Sequence, residues 1–270
     1  MWYLLPFLVI LSTHIKGLQI TSLLVPPYVV NNSGLVVLDC QYTLTPYDLQ
    51  LDSGLVVKWF FNNGPAPVYQ WIPSQRPQDL GILRGRLDLD YRASDNNATM
   101  FRALSILNPT TDLSGEYRCA VSTFTDEDFM IQRMIVYAPE KRMELTHTKP
   151  DAESANVTCE GYGLYPQPRI AFYKDQFPPR YSKPLQGATI ETSSRTGHYD
   201  ISANMVFRDN DLRSPTIFIC EICIPTTEYC RRKRLVYYPG SITRYSSDST
   251  CLEKVTLVTW LMALMSSVLH

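Results

Sequence analysis

The chain has 270 residues, which is enough for two domains of ordinary size, each with its own core. Its 25 basic and 26 acidic residues leave a net charge of −1, so the charge balance gives no argument for nucleic acid or an anionic surface as the main partner. Seven cysteines behind a candidate secretory leader favour disulfides formed in an oxidising compartment over a cytosolic metal site.

The amino terminus predicts a signal peptide over residues 1–17. An apolar run at residues 4–11 is too short to span a bilayer, and the sequence turns polar after it. The segment before the run carries no lysine or arginine, so an uncleaved anchor is the alternative.

The first domain is predicted over residues 20–138, on the basis of strands in which apolar side chains alternate. The side chains that share an inward face are Val36, Leu38 and Cys40 on one strand, Val57, Trp59 and Phe61 on a second, and Tyr117, Cys119 and Val121 on a third. Alternation of this kind is typical of strands with one buried face. All three strands therefore direct their core residues towards one centre.

Residues 112–119 read Asp-Leu-Ser-Gly-Glu-Tyr-Arg-Cys, and this stretch, with Cys40 and Trp59, resembles an immunoglobulin domain. The resemblance implies an all-β sandwich in which Cys40 and Cys119 bridge the two sheets and Trp59 packs on the bridge. Tyr117 would form the tyrosine corner. The 78 residues between the cysteines favour a variable-type sandwich with extra strands. The same resemblance implies an ion pair between Arg86 and Asp112.

We predict four contact residues for a partner on the exposed sheet of this domain, namely Phe60, Tyr69, Trp71 and Arg118. Aromatic and arginine side chains on an open sheet are typical interface anchors. The alternative for the aromatic residues is that they fill the core. A long loop at residues 41–54 is a second candidate recognition element, and the acidic turn at residues 124–129 is interpreted as a solvated hairpin tip.

The second domain is predicted over residues 139–239. After Cys159, residues 161–168 are similar to the Gly-Phe-Tyr-Pro turn of constant-type immunoglobulin domains. Phe172 stands where that family has tryptophan, and Phe218 stands where the corner tyrosine is expected. This departure bears on the sub-type and not on the fold, because phenylalanine still fills a core.

The cysteines of this domain predict two bridges. Cys220 and Cys223 lie three positions apart and cannot both point inward from one strand. Phe218, Cys220 and Ile222 share a face, which favours Cys159–Cys220 as the core bridge and leaves Cys223 to join Cys230 across a hairpin. The alternative exchanges Cys220 with Cys223.

Residues 231–234 read Arg-Arg-Lys-Arg and admit three interpretations. They are the outer face of a final strand, a proteolytic processing site, or a patch that binds heparan sulfate. Pairing in a strand would protect them from proteolysis.

The carboxyl-terminal tail predicts a glycosylphosphatidylinositol anchor. A small, polar stalk at residues 240–254 precedes a hydrophobic tail at residues 255–270, which is short for a membrane helix and lacks a basic flank. Ser247 is the preferred attachment residue, and Cys251, the odd cysteine, would leave with the tail. Attachment to the outer leaflet of the plasma membrane follows from this prediction, and a short transmembrane helix is the alternative.

Three acceptor sequons predict N-glycosylation at Asn31, Asn97 and Asn156. The alternation that turns Cys159 inward turns Asn156 outward. A glycosylated chain fits the secretory pathway that the leader predicts.

The sequence favours a non-enzymatic recognition protein at the cell surface. The two histidines between leader and tail lie in no catalytic, zinc or phosphate-loop motif, and no cofactor or metal is expected. The domain order also resembles butyrophilin-type ligands.

Residues 25–30, 57–60 and 69–73 are more similar to the arthropod beaten-path family of neuronal adhesion proteins. That resemblance implies heterophilic binding to another immunoglobulin-superfamily protein, in axon guidance or synaptic matching. The alternatives are a secreted glycosaminoglycan-binding or decoy protein and a homophilic adhesion molecule.

Overall fold

A computed structural model describes residues 17–49, 53–175 and 183–240 of the chain. Most of the predicted leader, Ser247 and the hydrophobic tail lie outside these residues. Within them, no helix is long and apolar enough to span a membrane.

The described residues form two β-sandwiches built from sixteen strands. The strands of the first are β1 (Gln19–Leu24), β2 (Tyr28–Val30), β3 (Leu35–Thr43), β4 (Val56–Phe61), β5 (Tyr69–Trp71), β6 (Gln78–Asp79), β7 (Leu104–Leu107), β8 (Gly115–Ser122) and β9 (Glu127–Tyr137). The strands of the second are β10 (Arg142–Thr148), β11 (Ser154–Leu164), β12 (Arg169–Lys174), β13 (Thr189–Arg195), β14 (His198–Arg208), β15 (Thr216–Cys223) and β16 (Cys230–Tyr237).

The first sandwich packs a three-stranded sheet, β1-β3-β7, against a six-stranded sheet, β2-β9-β8-β4-β5-β6. The short strands β5 and β6 extend the larger sheet beyond β4, as the additional strands of variable-type sandwiches do. The early strand β2 runs parallel to β9 and closes the opposite edge.

The core of the first sandwich is centred on Trp59, which is fully buried. The disulfide Cys40–Cys119 joins the two sheets. The indole Nε1 of Trp59 donates to the carbonyl of Arg102 at 3.1 Å, and the hydroxyl of Tyr117 donates to the carbonyl of Leu113 at 2.8 Å. The second contact is the tyrosine corner that the resemblance implies.

Two of the four predicted contact residues lie in this core, so the prediction for Tyr69 and Trp71 is wrong. Strand β5 pairs with β4 so that Tyr69 stands opposite Trp59 and Trp71 opposite Val57. Residues opposite each other in an antiparallel pair share a face, and that face is the inward one. Tyr69 and Trp71 are accordingly only 3% and 2% exposed.

The predicted pair of Arg86 and Asp112 is present, with 2.7 Å between Nη1 and Oδ2. Both side chains are more than a third exposed, so solvent screens their attraction and the pair contributes little to stability.

The second sandwich packs the sheet β10-β11-β14-β13 against β12-β15-β16, the seven-stranded arrangement of constant-type domains. Cys159 is joined to Cys220 between the sheets, and Phe172 and Phe218 are buried beside this bridge. The two phenylalanines therefore fill the positions where the family has tryptophan and tyrosine.

A buried carboxylate organises the far end of the second sandwich. Asp209 accepts the hydroxyl of Tyr237 at 2.6 Å, the ammonium of Lys149 at 2.8 Å and the backbone N–H of Gly240 at 2.7 Å. The hydrogen bonds from Lys149 and Tyr237 lower the pKa of Asp209 to about 2. These bonds fasten the end of the last strand to the short turn at Asp209.

The hairpin between β15 and β16 carries the third disulfide and the basic run. Cys223 and Cys230 stand directly opposite each other and are bonded, so their sulfurs are not free to bind a metal together with the nearby Glu221. Residues 231–234 lie within β16, paired along their length with β15. Arg231 meets Glu140 at 3.7 Å and Arg232 meets Glu221, which leaves two of the four charges without a carboxylate partner among the described residues.

Candidate functional site

The outward surface of the larger sheet in the first sandwich is the candidate site, and we call it the front face. Its central row runs across three strands, with Phe60 on β4 opposite Arg118 on β8, which in turn stands opposite Ile131 on β9. The next row continues the surface through Lys58, Ala120 and Phe129 in the same order. The front face is defined by Lys58, Phe60, Arg118, Ala120, Phe129 and Ile131.

Two large apolar side chains of the front face are open to solvent. Phe129 is 56% exposed and Ile131 is 49% exposed, whereas Met134 and Val136 further along β9 are fully buried. Phe129 and Ile131 face out because they pair with Ala120 and Arg118, which point outward from β8. The sequence prediction missed both residues, because residues 129–131 are all apolar and show no alternation that would tell the outward side chains from the inward one.

The guanidinium of Arg118 lies over aromatic rings on either side. Its Cζ is 4.2 Å from the ring centre of Phe60 and 5.9 Å from that of Phe129. A cation over an aromatic face is attracted by the ring quadrupole. Arg118 Nε is covered and has no hydrogen-bond acceptor in the described part of the chain, where no carboxylate lies within ion-pair distance of this side chain either.

A polar rim surrounds this apolar and cationic centre. Glu116 and Arg133 stand opposite each other beyond the central row, and Glu127 lies at the start of β9 on the other side. Lys58 stands opposite Gln70 towards the β5 edge. An apolar centre with aromatic and arginine side chains inside a polar rim has the composition of protein–protein interfaces.

The loop between β3 and β4 meets the turn between β8 and β9 at one end of the sandwich. The backbone N–H of Phe124 donates to the carbonyl of Ser53 at 2.9 Å. Tyr47, Leu49 and Phe124 are 61%, 55% and 81% exposed there, so the end of the sandwich offers a second group of exposed apolar side chains.

Two carboxylates of the acidic turn accept backbone N–H groups at different places. Asp128 lies on the inward side of β9 and accepts the backbone N–H of Ile20 at 2.7 Å. Asp126 receives the backbone N–H of its neighbour Glu127 at 2.9 Å. Asp128 therefore ties the start of β9 to β1, and Asp126 stabilises the backbone of the turn itself.

The three sequons occupy different kinds of surface. Asn31 is half-buried in the turn after β2, Asn97 is exposed in the turn at residues 97–100, and Asn156 is half-buried on the outward side of β11. Asn156 stands between Thr148 and Val206 on the neighbouring strands. None of the three lies on the front face as defined above.

Comparison with family models gives no match, and comparison with curated protein sequences gives none. Solved structures do match over both domains. Bovine butyrophilin has a TM-score of 0.60 at 17% identity, covering 78% of this chain and 94% of that chain. The structure titled Rst D1-D2 has a TM-score of 0.52 at 11% identity, covering 83% of this chain and 99% of that chain.

A chain from the complex of ICOS with ICOS-L and an anti-ICOS-L VNAR domain has a TM-score of 0.51 at 14% identity. The match covers 77% of this chain and 97% of that chain. At these identities the likeness shows the fold, which is an all-β pair of immunoglobulin-like domains.

Proposed function

We propose that this pair of immunoglobulin-like domains is a cell-surface recognition protein. It binds another immunoglobulin-superfamily protein through the front face of its first domain. The observation that carries the proposal is the exposed row Phe60, Arg118 and Ile131 with Phe129 beside it.

The energetics favour a protein partner for this surface. Burying the exposed parts of Phe129 and Ile131 removes apolar area from water at about 25 cal/mol per Å². The outward surface of a sheet suits a second sheet better than a small ligand, because small ligands bind in concave pockets. A docked sheet would cover the apolar centre and leave the charged rim in contact with water.

Arg118 is the residue that gives this surface its specificity. The rings of Phe60 and Phe129 fix the guanidinium, so little side-chain entropy is lost when it binds. A partner that places a carboxylate or a backbone carbonyl over the centre of the face would satisfy the remaining donors. A partner that places a lysine or an arginine there would be rejected by charge repulsion.

The finer parts of the proposal come from the sequence. Attachment to the outer leaflet through a lipid at Ser247 accounts for the polar stalk followed by a short hydrophobic tail. A role in axon guidance or synaptic matching is what the beaten-path resemblance implies. Release of the full-length protein from cells by a phosphatidylinositol-specific phospholipase tests the anchor, and retention after treatment contradicts it.

The binding experiment displays the full-length chain on cells and probes it with multivalent ectodomains of immunoglobulin-superfamily proteins, including its own. Heparin beads are included because Lys233 and Arg234 have no described carboxylate partner. A saturable hit that is lost in Arg118→Ala supports the proposal. Self-binding alone would replace it with homophilic adhesion, and binding to heparin alone would replace it with a glycosaminoglycan-binding function.

A further inference from the structure

A cleft of about 410 Å³ lies in the first domain, apart from the residues that define the front face. It opens between the connection from β5 to β6 and the segment that precedes β7. Its apolar lining consists of Trp71, Pro77, Leu89, Met100 and Phe101, and the sequon residue Asn97 also lines it. Clefts of this size are within the range that holds small organic groups.

The wall that carries Asn97 is fixed by three core aromatic residues. The hydroxyl of Tyr42 donates to the carbonyl of Ala98 at 2.7 Å, and the hydroxyl of Tyr69 donates to the carbonyl of Phe101 at 2.7 Å. Trp59 donates to the carbonyl of the next residue, Arg102. Because buried side chains hold this backbone, the cleft exists before anything occupies it.

The turn at Asn97 is fixed locally as well. The side-chain oxygen of Asn96 accepts the backbone N–H of Ala98 at 2.8 Å, and the hydroxyls of Ser94 and Thr99 lie 2.7 Å apart. The direction in which a group attached to Asn97 leaves the chain is therefore constrained.

A buried donor under the cleft has no partner among the described residues. Trp71 is 2% exposed, and its indole Nε1 forms no hydrogen bond to any described group. A buried donor without an acceptor destabilises a fold, and buried tryptophans usually have one. The ring of Trp71 packs edge-on against Phe101 with 5.8 Å between the ring centres, so the lining beside this donor is aromatic.

We infer that the cleft holds the first N-acetylglucosamine of a glycan attached to Asn97. The carbon-bound hydrogens of the sugar ring are weakly positive and pack against the negative face of an aromatic ring. The acetamido carbonyl is an acceptor of the kind that Trp71 Nε1 lacks. An attached sugar also has a high local concentration at the cleft, since Asn97 is itself part of the lining, so docking requires no bimolecular step.

The inference predicts that one sugar is enough to stabilise the first domain. The test uses the full-length chain with Asn31→Gln and Asn156→Gln, expressed in cells that make only high-mannose glycans. Thermal unfolding is compared for the intact form, the form trimmed by endoglycosidase H to a single N-acetylglucosamine, and the sugar-free form made by peptide N-glycosidase. Tryptophan fluorescence reports on the first domain, because Trp59 and Trp71 lie in its core and the described part of the second domain contains no tryptophan.

The intact and trimmed forms are expected to unfold at the same temperature, and the sugar-free form about 4 °C lower. Peptide N-glycosidase converts the asparagine to aspartate, so Asn97→Asp made without a glycan is the matched control and should behave like the sugar-free form. In Met100→Ala and Leu89→Ala, which open the apolar lining, the difference between the trimmed and sugar-free forms should largely disappear.

Three results would overturn the inference. The first is an unmodified Asn97 in the mass spectrum of the protein purified from these cells. The second is a trimmed form that unfolds at the same temperature as the sugar-free form, which would mean that any stabilisation comes from the outer sugars. The third is an undiminished difference in both lining variants, which would place the sugar outside the cleft.

Discussion

Replacing Tyr237 with phenylalanine removes one oxygen atom from the buried network around Asp209. The ring stays packed, since it lies 5.1 Å from the ring of His147 and 6.2 Å from that of Phe218, measured between centres. Asp209 loses one of its three described donors, while Lys149 and Gly240 remain. A hydrogen bond to a charged group contributes about 1.5–3 kcal/mol, so we expect Tyr237→Phe to lower the free energy of unfolding of the second domain by about 2 kcal/mol.

The effect of this substitution should depend on pH. The pKa of Asp209 in the folded protein is about 2, below the value near 4 of an unfolded aspartate. A carboxylate with a lowered folded-state pKa adds stability that is present above its unfolded-state pKa and is lost as the pH falls towards its folded-state pKa. The difference between the wild type and Tyr237→Phe should therefore be constant from about pH 7 to pH 5 and shrink below about pH 4.

Urea unfolding followed by circular dichroism measures the effect, and tryptophan fluorescence identifies the transition of the first domain so that the two are separated. Tyr47→Phe is the matched control, because it removes a hydroxyl from a ring that is 61% exposed and should change stability by less than about 0.5 kcal/mol. A loss below 0.5 kcal/mol in Tyr237→Phe, or a loss of the same size at pH 7 and pH 3, would refute the reasoning.

Four further variants test the rest of the framework by urea unfolding. Removing the hairpin disulfide with Cys223→Ser and Cys230→Ser should lower the free energy of unfolding by about 2 kcal/mol, because the closed loop spans only 7 residues. Removing the core bridge with Cys159→Ala and Cys220→Ala should lower it by about 4 kcal/mol, because that loop spans 61 residues. Equal losses would contradict the dependence on loop length. Tyr117→Phe should destabilise the first domain by about 1 kcal/mol through the lost bond to Leu113, and an unchanged fluorescence transition would show that this bond contributes nothing. Arg86→Ala should change stability by less than about 0.5 kcal/mol, and a larger loss would mean that the exposed pair with Asp112 is not screened.

The cores of both domains could be predicted because alternation along a single strand decides which residues face inward. Cys40, Trp59 and Cys119 each lie within a continuous strand, so their facing follows from sequence parity alone. The same argument places Cys220 and Cys223 on opposite faces of one strand. The structure confirms the favoured pairing, in which Cys220 is bonded to Cys159 and Cys223 to Cys230.

The facing of Tyr69 and Trp71 could not be obtained in this way. A proline-containing turn at residues 62–67 separates β4 from β5, so parity counted along β4 does not carry over. The bond from the backbone N–H of Val68 to the carbonyl of Trp59 sets the register and turns both aromatic residues inward. Register between strands is a tertiary property, and a single sequence specifies it only where the turn geometry is known.

The facing of Phe129 and Ile131 could not be obtained from the sequence either, although these two residues point outward. Their outward facing follows from the pairing of β8 with β9, which begins at Ser122 opposite Glu127 after a turn of four residues. The aromatic and acidic residues at positions 124–129 are also compatible with a longer, solvated hairpin tip. Under that interpretation the sequence does not define the residue at which β9 begins. Phe60 and Arg118 could therefore be predicted, whereas the exposed apolar residues of β9 emerged only with the strand register.

The most direct test of the account compares two aspartate substitutions in the full-length chain displayed on cells. Ile131 on the front face and Leu35 on the opposite sheet are 49% and 50% exposed, so Ile131→Asp and Leu35→Asp place equal charge at equally open aliphatic positions. The probe is the immunoglobulin-superfamily ectodomain that the binding screen identifies. We expect Ile131→Asp to weaken binding at least about 30-fold, as loss of an interface hot spot does, and Leu35→Asp to leave it within about twofold. Unchanged binding in Ile131→Asp, or a loss confined to Leu35→Asp, would contradict recognition through the front face.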